Sequence, residues 1–164
     1  MNYTIDDGFP YYIELVGKED YKHLFESKTL YDLLQPISES KANYRYASGK
    51  WSIKQVLGHV TDHERIMMYR ILRFSRKDTT PLPGYDQNVM VDNSRFDEIS
   101  VADLLTDFNN VRQSSLSFIK MLSNVQMQLT GKAWKYELTV EEFLKATIGH
   151  ELHHVQVLRE KYLI

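Results

Sequence analysis

The sequence predicts an all-α fold, a four-helix bundle. Four long segments carry apolar residues at helical spacing, and no segment alternates convincingly as a strand. The 4 prolines and 7 glycines cluster between the periodic segments. A chain of 164 residues suits one domain, residues 1–164, whose core needs no cross-links.

After a loose start, the first predicted helix covers 18–37, with Tyr21, Leu24, Phe25, Leu30, Leu33 and Leu34 in helical register and Pro36 at its end or kink. A polar connection closes with Ser48-Gly49. Ser52 and Gln55 then form a capping box, each side chain answering the other's free amide, and open a second helix over 51–77. The connection 78–99 holds two prolines and a glycine, and a loop of that length is often functional. It is long enough to run the length of the bundle and so let the second and third helices point the same way. Tyr85 and Asp86 within it are candidates to cover a site; a plain surface crossover is the competing reading. Ser100, three residues before Asp103, opens the third helix over 101–122. A shorter connection with Gly131 and Trp134 leads to a capping box of Thr139 and Glu142 and to the last helix, 140–163.

Composition narrows the function classes. A net charge of −2 offers no basic field for nucleic acid, and the positive run at 70–77 reads as the solvated end of a helix. Without cysteine, the chain has no disulfides, no thiolate zinc site and no sulfur nucleophile of its own. The acidic N-terminus lacks the charged start and apolar core of a signal peptide. No uncharged apolar run approaches the roughly 20 residues that cross a bilayer. The expectation is a cytoplasmic protein with a small-molecule partner.

Of 6 histidines, 5 fall in "GHVTDHE" (58–64) and "GHELHHV" (149–155), and both segments read Gly-His-x-x-x-His. Helical positions four apart share a face, so His59 pairs with His63 and His150 with His154. Helical-wheel arithmetic sets these imidazoles beside the apolar arcs and puts Glu64 and Glu151 inside them. A buried carboxylate needs a cation, and Arg65, Arg70 and Arg73 are the nearby candidates for an ordinary ion pair. Two such histidine pairs on helices that must pack together point instead to a metal.

His150-Glu151-Leu152-His153-His154 also spells H-E-x-x-H, the zinc-protease pattern. That use needs a third ligand downstream, yet Val157 and Glu160 stand where the extended motif needs glycine and histidine. The third ligand must come from upstream, where "GHVTDHE" is the histidine-rich source and His23 the weaker one. A site of His59, His150 and His154 has three neutral nitrogen ligands and an open position, the arrangement of catalytic zinc; nickel suits the same ligands. His63 is then an additional ligand or a supporting donor.

The segments "KWSIKQVLGHVTDHERIMMYRILRFSRKDTTPLPGYDQ" and "IGHELHHVQVLREKYL" resemble the DinB-like superfamily, from about residue 10 to the end. The resemblance implies an up-down-down-up four-helix bundle and frequent homodimers. It also implies a divalent ion, commonly zinc or nickel, on three histidines, which fall by position on His59, His150 and His154. The family has a small residue where His63 stands, so a second role there is specific to this chain; Glu151 is not a fixed functional position in the family, which counts against it as a catalytic base. His63 and Glu151 are the candidate catalytic residues. Members include metal-dependent transferases that use a low-molecular-weight thiol. The function expected is activation of a thiol or water for transfer to, or hydrolysis of, a small molecule. The alternative is a non-catalytic, stress-related small-ligand-binding protein with a structural or vestigial metal.

Overall fold

The structure, a computed structural model, describes residues 1–164. Its helices are α1 (Phe9–Val16), α2 (Tyr21–Glu26), α3 (Thr29–Leu34), α4 (Glu39–Ala42), α5 (Ile53–Ser75), α6 (Gln87–Asp92), α7 (Val101–Lys120), α8 (Asn124–Met127) and α9 (Val140–Lys161). Two short strands, β1 (Thr130–Ala133) and β2 (Tyr136–Thr139), form an antiparallel hairpin just before α9.

The long helices begin where their caps predict. Ser52 and Gln55 close a capping box ahead of α5, Thr139 and Glu142 do the same for α9, and Ser100 accepts from the Asp103 amide at α7. The first arm differs from expectation. It is not one helix over 18–37, because Ser27 leaves α2 in an extended conformation before α3 starts. Ahead of it, the stretch read as a loose start folds as α1, between Gly8 and Gly17, both at positive φ.

Helix directions follow from which residues meet. At one end Phe74 of α5 packs on Phe143 of α9, ring centroids 5.2 Å apart, while His59 meets His150 further along, so α5 and α9 are antiparallel. Val56, Leu57 and Val60 share a core cluster with Val101, Leu104 and Leu105, and Ile71 and Phe74 share another with Ile119, so α5 and α7 are parallel. Lys145 lies over the Tyr21 ring while Leu30 and Leu34 pack with Val155 and Leu158, so the α2–α3 arm runs with α9. The order is up-down-down-up.

The crossover that makes α5 and α7 parallel is structured. It carries α6 and a 3₁₀ turn at Phe96–Glu98, and Leu82 bridges to the hairpin, its amide donating to the Lys132 carbonyl at 2.9 Å. The hairpin itself departs from the strandless expectation. Its four-residue strands are too short to show a period, and its two-residue turn places Trp134 at a φ of 54°.

The two apolar clusters do not merge. On α5 one cluster ends at Val60 and the other starts at Met67; on α9 one ends at Ile148 and the other starts at Val155. The gap between them holds His59, His63, Glu64, Arg112, His150 and Glu151, all buried. The bundle therefore has a polar waist.

Candidate metal centre

Each Gly-His pair has a packing reason. A side chain at Gly149 would overlap the backbone carbonyl of Tyr12, and one at Gly58 would overlap the Phe96 ring. Both glycines thus let a neighbouring segment close against the helix one residue before a histidine. The result is a histidine cluster walled by α1, the crossover and the two long helices.

His59 Nε2 lies 3.0 Å from His150 Nε2, which lies 3.2 Å from His154 Nε2. Donor atoms of these three residues all fall within 4.8 Å of one another, and no other three histidine or carboxylate side chains meet that condition. Nitrogens bound about 2.0–2.1 Å from one ion sit about 3–3.4 Å apart, which is the spacing of the His59–His150 and His150–His154 pairs. Burial pulls the His59 pKa down to about 4, and the values for His150 and His154 fall well below the ordinary histidine value for the same reason. Neutral rings supply lone pairs. The Nδ1 atoms of His150 and His154 are buried without a hydrogen-bond partner, so hydrogen bonds elsewhere do not explain the arrangement. Three converging nitrogens with free lone pairs fit a borderline divalent cation.

His63 stands beside this group. Its ring stacks on His150 with centroids 3.8 Å apart, and its Nδ1 meets the Tyr85 hydroxyl at 2.6 Å. Its Nε2 is buried without a partner, and burial holds its pKa well below the usual value. Tyr85, from the crossover, is pushed up to about 12 by burial. Asp86 instead caps α6 through the Asn88 and Val89 amides. Trp51 packs on His59 and Tyr12 edges onto His150. His153 meets the Tyr11 hydroxyl at 3.1 Å, and His23 is exposed on α2, away from the cluster.

The buried carboxylates are paired, but not with the arginines nearest in sequence. Arg112 of α7 donates to Glu64 at 2.7 Å, to Glu151, and to the Phe25 carbonyl at 3.1 Å. Arg65 pairs with Asp62 and Asp107, and Arg73 with Asp78. The Glu151 carboxylate thus faces the interior of the waist, and burial raises its pKa, opposed by Arg112. The signal for Arg112 was present: it continues the apolar row of Leu105, Phe108 and Ile119 on the third helix. Arg70 is not the solvated helix end expected of its segment; it is buried.

A cavity of about 710 Å³ opens beside the cluster, and His63, His150, Tyr12, Arg70, Tyr85 and Trp134 form part of its wall. A smaller one, about 280 Å³, is lined in part by His153 and His154. The arrangement provides three ligand nitrogens, a histidine–tyrosine hydrogen bond and room for a small molecule in one place.

Comparison with known proteins adds the family. The DinB superfamily model matches residues 26–158. Among solved structures, YfiT from Bacillus subtilis superposes with a TM-score of 0.71 at 16% identity, over 98% of this chain and 89% of that one. It is described as a probable metal-dependent hydrolase with an unusual four-helix bundle topology. No curated protein sequence matches the chain.

Proposed function

The chain belongs to the DinB superfamily, and from that premise we propose that it is a metal-dependent enzyme acting on a small molecule. His59, His150 and His154 would hold a divalent ion, zinc or nickel. The observation that carries the reading is the convergence of their ring nitrogens, with His150 in the wall of the 710 Å³ cavity. Such an ion supplies a Lewis acid that brings a water or thiol toward deprotonation near neutral pH.

The chain's own residues do the rest. Burial favours the neutral ring of His63, and in the tautomer whose Nδ1 accepts from Tyr85 the ring proton sits on Nε2, close to His150. It is placed to pass a proton to a leaving group or to orient the attacking one. Tyr12, Tyr85 and Trp134 give the cavity beside the site an aromatic wall for a substrate to lie against. Because the protein has no cysteine, thiol chemistry requires a low-molecular-weight thiol as co-substrate. Glu151 is assigned to holding the waist together rather than to proton transfer, since both it and Glu64 are bound to Arg112.

The test is a pair of assays on chelator-stripped and zinc- or nickel-loaded protein: conjugation of a low-molecular-weight thiol to an electrophile, and hydrolysis of ester and amide panels. Metal-dependent turnover in either supports the reading and selects the nucleophile. Turnover in neither, from protein that binds the ion, favours a ligand-binding role.

A further inference from the structure

Two arginines are buried, and their surroundings are opposite. Arg112 is enclosed by two carboxylates. Arg70, 5% exposed, has none within ion-pair distance; its guanidinium donates to the Pro83 carbonyl at 2.8 Å and to Met67 Sδ at 3.6 Å, and lies over the Tyr85 ring. All three partners are uncharged. A buried cation without an anion is costly, and a guanidinium keeps its charge rather than shedding a proton.

Arg70 lines the same cavity as His63 and His150. It follows His63 by seven residues on α5, two turns along the same face and about 10 Å further up the helix axis. Two carboxylates also border the cavity, and neither neutralises Arg70. Asp86 is engaged by the two amides of α6, and Asp6 is exposed on the N-terminal turn. Besides Arg70 and the histidines, the cavity wall carries five aromatic side chains: Phe9, Tyr12, Tyr85, Trp134 and Tyr136.

We propose that Arg70 is the substrate's anchoring residue, and that the substrate is a small molecule with an aromatic or similarly flat apolar body and a carboxylate. The carboxylate docks on the guanidinium, whose planar fork suits it, and the body lies along the aromatic wall. This directs the reacting end toward His150 and His63. The inference rests on reading the cavity as the substrate site, and it adds the charge and shape of what enters.

Phenylacetate and phenylacetamide share a ring and differ in charge, which makes them suitable probes. Their affinities are measured by calorimetry on the full chain, first stripped of metal by a chelator and then loaded with zinc. Stripped wild-type protein is expected to prefer phenylacetate by at least 10-fold, a bidentate charge-assisted contact contributing about that much. Arg70→Gln, with its fold checked by near-ultraviolet circular dichroism, should bind both probes alike, and Arg70→Lys should keep part of the preference. Equal affinities in stripped wild type, undetectable phenylacetate binding, or a preference that survives Arg70→Gln would overturn the proposal. The wild-type comparison decides even if Arg70→Gln fails to fold. A preference that appears only with zinc and persists in Arg70→Gln places the anion on the ion, which sinks the role of Arg70 and spares the metal reading. The reverse pattern, a preference in stripped protein that takes up no zinc, supports Arg70 and sinks the metal reading.

Discussion

Replacing Arg112 with leucine removes the cation at the centre of the waist. The guanidinium contacts Glu64 through both Nε and a terminal nitrogen, the nearest approach being 2.7 Å, and also binds Glu151 and the Phe25 carbonyl. Both carboxylates are buried, so the variant holds two adjacent negative charges in a site that water does not reach. Breaking a buried pair from one side costs about 3–5 kcal/mol. With a urea dependence of about 2 kcal/mol/M, the unfolding midpoint should fall by about 2 M. The pH dependence carries the mechanism. Without Arg112 the buried carboxylates have no counter-charge, so the penalty is full at high pH, where they are ionised, and relieved as protons bind on acidification. The deficit should therefore be larger at pH 8 than at pH 5. The triple variant Glu64→Leu, Arg112→Leu, Glu151→Leu should recover most of the loss, since an apolar set of similar volume needs no counter-charge. A deficit below about 1 kcal/mol, or one equal at both pH values, would mean that Arg112 is not the counter-charge of the waist.

Other consequences can be checked independently. Gly149→Ala should destabilise the protein by about 2–4 kcal/mol in chemical unfolding, because its methyl group meets the Tyr12 carbonyl and α1 must shift. Tyr85→Phe should lower turnover in any metal-dependent reaction by about 10-fold or more while leaving metal affinity unchanged, since it frees His63 Nδ1 without touching the three-nitrogen group. Metal-free protein should lose stability on acidification. Burial lowers the histidine pKa values, to about 4 for His59, so the unfolded chain takes up protons first. Stability is full above the unfolded value of about 6.5 and lost as pH falls toward 4. Urea midpoints in chelator at pH 7 and pH 5 should show the drop, with a smaller drop in His59→Gln; equal midpoints in wild type would contradict it.

The local rules reached far along this chain. Ser52 with Gln55 and Thr139 with Glu142 marked the starts of the two helices that carry the histidines, because a capping box is complete within four residues. The i,i+4 spacing identified both histidine pairs because it depends only on helix geometry. Features set by packing between distant segments were less legible. Whether His59 or His63 faces His150 through nitrogen or through its ring face depends on how α5 crosses α9. The cation for Glu64 and Glu151 came from α7, whose rotation no residue near Glu64 reveals; Arg65 and Arg73, closer in sequence, found partners at the surface. The hairpin at 130–139 was hidden by strands too short for a period, although it fixes Leu82 and hence the path of the crossover to Tyr85.

Whether His59, His150 and His154 act together as a metal site is decided by titration. Protein made without a histidine tag and stripped by chelator is titrated with zinc and with nickel, followed by calorimetry and elemental analysis. One ion per chain is expected, with affinity lower by about 100-fold or more in each of His59→Ala, His150→Ala and His154→Ala, every variant lacking one of three coordinate bonds. Failure of the wild-type protein to take up either ion, or unchanged affinity in His59→Ala, would contradict it.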